Sequence, residues 1–151
     1  ADPHKLAIVG WSYGGYAALQ AAVVDPALFK AVVAIAPVTD LALMKTEANE
    51  YTNGKIVSTM LGDGPHIREG SPAQNAAKIA VPVLMFHGDR DQNVDIEQAR
   101  VMSRRLHDAG KSVELIEFPG LTHSLLSTDA RTKMLSRSDA FLRQTLGMAP
   151  E

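Results

Sequence analysis

The apolar run Leu6-Ala7-Ile8-Val9 leads directly into Gly10-Trp11-Ser12-Tyr13-Gly14-Gly15, and an alanine-rich stretch of helical character follows to Val24, where Asp25-Pro26 stops it. A short apolar run bounded by glycine reads as a buried strand. A strand that gives way to a helix over so few residues must do so through one tight turn, and the serine sits at its tip. The spacing is G-x-S-x-G. At average glycine usage of about 7%, and similar serine usage, it arises by chance in roughly one chain in twenty of this size. The strand before it and the helix after it make it far more specific. Gly10 and Gly14 are read as the two flanking positions where a Cβ would clash.

The same rhythm continues. Ala31-Val32-Val33-Ala34-Ile35 reads as a second buried strand. Val81 to Phe86 reads as a third, with Pro82 near its start, where a missing donor is tolerated. Asp95 is placed to cap the next helix, with Gln98 as its capping-box partner. Ile96, Ala99, Met102 and Leu106 form the apolar stripe of that helix, and Gly110 its stop. Val113 to Phe118 alternates and reads as a strand nearer the sheet edge. A last helix runs from about Asp129 to Leu146, with Ala130, Met134, Leu135, Phe141 and Leu142 facing inward and Gly147 ending it. Strand and helix alternate, which predicts an α/β chain: a parallel sheet of about four strands with helices on both faces. Only the stretch from about 40 to 75 breaks the pattern; it is polar, glycine-containing and irregular, and inserts of this kind are usually functional or mobile.

The bulk numbers exclude several classes. The 151 residues fit one domain, and the 46% hydrophobic and 21% charged fractions allow a normal core. The formal net charge is −2 with no basic clustering, so no nucleic-acid partner is expected. No apolar run approaches the roughly 18 residues of a membrane span. With no cysteine there are no disulfides or thiolate metal sites, and no histidine–carboxylate cluster has ligand spacing, so neither metal nor other cofactor is expected. The opening Ala1-Asp2-Pro3 reads as a cut chain, which leaves localisation, cytoplasmic or periplasmic, open.

A serine on such a turn, with a helix N-terminus beneath it, has the setting of a nucleophile elbow. The backbone N–H of Tyr13 is then a candidate oxyanion donor. Ser12 needs a base, and the base an orienting acid, later in the chain and in the order Ser, Asp, His. The loop after the third strand offers Asp89 and Asp91. The loop after the last strand offers His123, in Pro119-Gly120-Leu121-Thr122-His123. His4, His66 and His107 read as surface residues, and His87 as shaping the strand end. Lys45, Glu47 and Glu50 read as a solvated face, and Gly62-Asp63-Gly64 as a turn.

Gly-Trp-Ser-Tyr-Gly-Gly-Tyr at 10–16 resembles the prolyl oligopeptidase family, above all its dipeptidyl-peptidase and acylaminoacyl-peptidase branches. Asp2-Pro3 before the first strand, Leu28-Phe29-Lys30-Ala31, Ala36-Pro37-Val38-Thr39-Asp40, Ser71-Pro72 and Ile79 to Leu84 are similar to the same family, so the likeness covers nearly the whole chain and is weakest from 41 to 70. The family's H-G-x-x-D-x-x-V pattern falls on His87, Gly88, Asp91 and Val94. The resemblance thus selects Asp91 over Asp89 as the acid, and Pro-Gly-x-x-His supports His123.

This likeness implies the C-terminal half of an α/β-hydrolase fold. Residues 1–151 would be a single truncated catalytic domain hydrolysing short peptides through an acyl-enzyme. It places Asn93, Val38, Leu41 and Met44 at the substrate. Relatives often carry a tryptophan and tyrosines after the Asp40 position; Leu41, Met44 and Ala48 stand there, which implies a wider, more aliphatic pocket. It also implies a partner portion upstream, a β-propeller and the first half of the sheet, with a second oxyanion donor. Without that portion the first strand's open edge predicts self-association. Two other readings share these residues: a carboxylesterase-like hydrolase using the same triad, and a fragment without catalysis of its own.

Overall fold

The structure, a computed structural model, describes residues 2–48 and 54–148. Four strands, β1 (Ala7–Trp11), β2 (Ala31–Ile35), β3 (Val83–Gly88) and β4 (Val113–Phe118), form one parallel sheet in the order β1-β2-β3-β4. The register aligns Trp11 with Ile35, Ile35 with Phe86, and Gly88 with Phe118. All four strands therefore end together, and every loop that carries a chemical candidate leaves the same edge of the sheet.

Because strand side chains alternate, each strand feeds two cores. Val32, Ala34, Val83 and Met85 face one side, where they meet Ala18, Leu19 and Ala22 of α1 (Tyr13–Val24) and Met102 and Leu106 of α5 (Ile96–Asp108). Val33, Ile35, Leu84 and Phe86 face the other, against Ala130 and Met134 of α6 (Thr128–Leu146). Phe86 and Phe118 stack within that second core, with ring centroids 6.1 Å apart. β2 and β3 are buried along their whole length, as inner strands covered on both faces must be.

Within the fold, the structure corrects the reading of the elements in five places. The third strand begins at Val83 rather than Val81 and continues through His87 and Gly88; Pro82 lies ahead of it, its carbonyl accepting from Val32 N. Leu135 is exposed, so the inward face of α6 rests on Ala130 and Met134, with Phe141 and Leu142 partly buried. Gln98 makes no capping box: Asp95 caps α5 through Glu97 N at 2.8 Å, and the Gln98 side chain is fully buried elsewhere. The stretch 40–75 is largely helical, with α2 (Leu41–Ala48), α3 (Gly54–Leu61), α4 (Pro65–Glu69) and a 3₁₀ segment, Pro72–Lys78. Its helical segments are only five to eight residues long, too short for a repeating apolar stripe to stand out, which is why the sequence looks irregular.

Lys45 and Glu47, the fifth correction, are not a solvated face. Lys45 Nζ bonds Gly62 O at 2.8 Å and Asp63 at 2.5 Å. Glu47 Oε2 accepts from Gln98 Nε2 at 2.8 Å, while its Oε1 is buried without a partner among the described residues. Glu50 lies outside the described residues. Gln98 also receives Thr39 N and Asp40 N on its Oε1, each at 2.9 Å, and so pins the start of α2 to α5.

Candidate active site

Ser12 occupies the turn between β1 and α1 with φ 58° and ψ −119°, a left-handed conformation that a non-glycine residue adopts only when its surroundings hold it there. Ser12 N donates to Ile35 O at 2.8 Å, and Ser12 O accepts from Tyr16 N at 3.0 Å. The hydroxyl makes no capping bond to the helix, so it is not spent on structure. Tyr13 N is the first amide of α1, among the donors that a helix leaves without an internal partner.

The steric demand for glycine falls on Gly10 and Gly15. A Cβ at Gly10 would lie 2.0 Å from Gly14 O; one at Gly15 would lie 3.0 Å from the Pro37 Cβ and 3.1 Å from Ile35 O. At Gly14 a Cβ would meet nothing within 4 Å. The clash expected at Gly14 is thus absent, because helix α1 turns that position outward. The crowding belongs to the next residue, where α1 crosses the end of β2.

Asp91 is buried in the turn after β3, with three hydrogen bonds to its carboxylate and a second imidazole close by. Oδ1 accepts from Asn93 N at 2.8 Å and Val94 N at 3.0 Å. Oδ2 accepts from His123 Nδ1 at 2.6 Å and lies 3.2 Å from His87 Nε2. Burial pushes this carboxyl up, but the bonds from His87, Val94, His123 and Asn93 outweigh it and bring it down to about 2. Asp89 points elsewhere: its Oδ1 accepts from Gly120 N at 2.6 Å. One aspartate thus orients the imidazole and its neighbour braces the loop that carries it.

That loop is held from every side. Trp11 Nε1 donates to His123 O at 3.3 Å, Arg90 N to Leu121 O at 3.0 Å, and Arg131 of α6 to Ser124 O and Leu125 O at 3.0 and 3.1 Å. Gly88 must be glycine because Leu121 O passes over it; a Cβ there would sit 2.3 Å from that oxygen. With Nδ1 committed to Asp91, Nε2 is the His123 nitrogen left for chemistry. Among the described residues no hydrogen bond joins it to Ser12 Oγ, a looseness common before substrate binds. Ser12, Ala36 (φ 45°) and Leu125 (φ 45°) are the non-glycine residues with positive φ among the described ones, and all three lie at this edge of the sheet.

Beside the elbow, Val38, Leu41 and Val94 form a small apolar cluster with Tyr16, Met44, Leu61 and Ile67. Three of the four expected substrate residues, Val38, Leu41 and Met44, therefore share one wall, and the exposed Asn93 follows the Asp91 turn. Sequence reasoning missed Tyr16 and Val94 in this wall, the Trp11 indole and the Gln98 pin. Val94 carried a signal, since it closes the H-G-x-x-D-x-x-V pattern; Gln98 carried none.

Known proteins give the context. The chain is 29% identical over 139 residues to the uncharacterized peptidase YuxL of Bacillus subtilis, covering 90% of this chain and 21% of that one. It is 27% identical over 148 residues to dipeptidyl peptidase 4 of Sus scrofa, covering 97% and 19%. Among solved structures of the α/β-hydrolase type, a puromycin-hydrolyzing peptidase of Mycobacterium tuberculosis matches with TM-score 0.87 and 29% identity over 100% of this chain and 23% of that one. An acylaminoacyl peptidase of Pyrococcus horikoshii matches with TM-score 0.85 and 26% identity, over 100% and 26%. The chain spans about a fifth of the curated relatives it matches. The model of the prolyl oligopeptidase family matches residues 1–149, and the chain belongs to that family.

Proposed function

We propose that residues 1–151 carry the triad-bearing part of a serine peptidase that cleaves short peptides through an acyl-enzyme. The observation that carries this reading is the 2.6 Å bond between Asp91 Oδ2 and His123 Nδ1, made at the same sheet edge as the strained Ser12. With its Nδ1 proton held by Asp91, His123 presents the Nε2 lone pair. Nε2 takes the Ser12 proton as Oγ bonds to the substrate carbonyl carbon, and the carbonyl electron pair moves onto oxygen. Tyr13 N–H, at the positive end of α1, donates to that oxyanion. When the tetrahedral adduct collapses, the carbon–nitrogen bond breaks and Nε2–H protonates the departing amine. Water then repeats the sequence on the acyl-Ser12.

Val38, Leu41 and Met44 are read as facing an aliphatic side chain next to the scissile bond, and Asn93 as touching the substrate backbone; their shared cluster beside the elbow supports the first of these. Relatives several times longer than this chain favour a larger natural polypeptide, with further strands beside β1 supplying a second oxyanion donor. A fluorophosphonate probe tests the nucleophile: label should map to the Ser12 peptide, and label on Ser71 or Ser124 alone would refute the assignment. Comparing aminoacyl-anilide with short-chain ester turnover in the full-length polypeptide separates a peptidase from an esterase.

A further inference from the structure

His87 is fully buried at the end of β3, and the mechanism above does not use it. Its Nε2 lies 2.9 Å from Val94 O and 3.2 Å from Asp91 Oδ2. Both neighbours are acceptors, so the proton of the neutral ring sits on Nε2. Nδ1 is buried with no partner among the described residues. The ring N–H on Nε2 is bonded to Val94 O, in the 91–94 turn, and lies 3.2 Å from the carboxylate.

We propose that His87 is a positioning residue for the reaction: its N–H, bonded to Val94 O and 3.2 Å from Asp91 Oδ2, fixes the 91–94 turn and draws on the oxygen that also receives His123. This rests on the Ser12–Asp91–His123 reading above. The geometry has two consequences. Asp91 cannot rotate without losing bonds on both oxygens, so the imidazole of His123 is held in one plane. The His87 N–H, 3.2 Å from Oδ2, draws on the same oxygen as His123, so the bond that stabilises a charged His123 is weaker than it would be without His87. Two carboxylates face His87: Asp91 at 3.2 Å, and Glu117 across the strand pair. Glu117 pairs with it in register on β4, but Arg100 of α5 holds that carboxylate at 2.7 and 2.9 Å. Ile35 and Ala36, at the end of β2, bring no charge.

The test compares His87→Phe, which keeps a planar ring, slightly larger, and removes the donor, with His87→Gln, whose amide N–H restores it, in the full-length polypeptide. His87→Phe should lower kcat roughly tenfold or more, the size of a lost bond to a charged group, with KM within about twofold. The acid limb of kcat/KM should move to higher pH, because Asp91 then holds the imidazolium more strongly. His87→Gln should recover most of kcat and return the limb. Equal activity and equal pH limbs in both variants, beside an inactive Asp91→Asn, would overturn the role of His87 and leave the triad standing. Full activity in Asp91→Asn would overturn the triad reading itself. If His87→Phe does not fold, nitrogen NMR of the histidine-labelled unsubstituted enzyme decides: an Nε2–H tautomer for His87 supports the proposal, and an Nδ1–H tautomer overturns it.

Discussion

The indole N–H of Trp11 donates to the carbonyl oxygen of His123 across 112 positions of sequence, at 3.3 Å. The residue before the candidate nucleophile thus grips the backbone of the candidate base. Both ends of the proton transfer are referenced to one another through a single side chain, without passing through Asp91.

Trp11→Phe should therefore separate loop placement from packing. Phenylalanine keeps most of the apolar contact with the core on the α6 side. It loses a neutral bond worth about 1 kcal/mol, so kcat should fall by roughly three- to tenfold while the melting temperature moves little. Steady-state kinetics and thermal unfolding on the same preparation measure both. An unchanged kcat would mean that Arg131, Arg90 and Asp89 hold the loop without help.

Asp91→Asn and Asp89→Asn should differ sharply. The amide at 91 reverses a donor and acceptor against His123 and favours the wrong tautomer, which in a serine protease precedent costs about 10⁴ in kcat. Asp89→Asn keeps an acceptor oxygen for Gly120 N, and a loss within about tenfold is expected. Asp91 also ties acid stability to the site. Its carboxyl is held down at about 2 against an ordinary 3.8, so its stabilisation is present above pH 3.8 and is lost as pH falls through about 2. The acid unfolding limb of Asp91→Asn should be flatter over that window, as followed by circular dichroism.

The three elbow glycines should rank by the room at each Cβ. Gly10→Ala forces a carbon into the Gly14 carbonyl and should destabilise by about 3 kcal/mol or more. Gly15→Ala meets Pro37 and Ile35 O at close contact and should cost roughly 1–2 kcal/mol. Gly14→Ala enters open space inside a helix and should stabilise by about 0.5–1 kcal/mol. Urea unfolding of the three variants orders them, and a Gly14→Ala loss as large as that of Gly10→Ala would refute the ranking.

Much of this was legible because it is local. The strand-turn-helix around Ser12, the buried β2 and the apolar stripe of α5 follow from short-range periodicity, and all three lie where the sequence puts them. Asp91 was chosen by resemblance, since spacing alone left Asp89 open; the difference between them is one of direction, and only the folded loop sends one carboxylate to His123 and the other to Gly120 N. Gln98 illustrates the opposite case. A glutamine three residues after a cap looks like a capping partner, but the backbone amides of Thr39 and Asp40, 59 and 58 positions away, compete for its oxygen and win. Such long-range polar contacts have no periodic signature.

Glu47 gives a stability change with the opposite sign to that of Asp91. Burial is the main cause that raises its carboxyl to about 7, with the nearby Asp95, Glu97 and Asp40 adding to it against the Gln98 bond. A raised carboxyl favours the folded state while protonated, so its contribution is full below about pH 4.5 and is lost as pH rises through about 7. Glu47→Gln should be more stable than the unsubstituted chain at pH 8 by about 1 kcal/mol, a figure reduced for the solvent that reaches half the group. The gap should close by about pH 4.5. Equal unfolding midpoints at both pH values would show that the charge is fully relieved by water.

The two edges of the sheet differ in a way that predicts association. On β4, Glu114 pairs with Arg137 of α6 and Glu117 with Arg100 of α5, so charged side chains guard that edge. β1 reads Ala-Ile-Val-Gly-Trp and carries no charge. It pairs with β2 on one side and with no described strand on the other. Helix α6 packs over β2 and β3, so Val9 on that face of β1 is 55% exposed. An uncharged edge beside an uncovered apolar side chain is a template for another strand. In the 151-residue chain the strand at hand is β1 of a second copy, joined across a two-fold axis. Sedimentation velocity should show a dimer that grows with concentration, and Val9→Lys, which places a charge on the edge, should return it to monomer without loss of melting temperature. A monomer across the whole range for the unsubstituted chain would refute association through this edge.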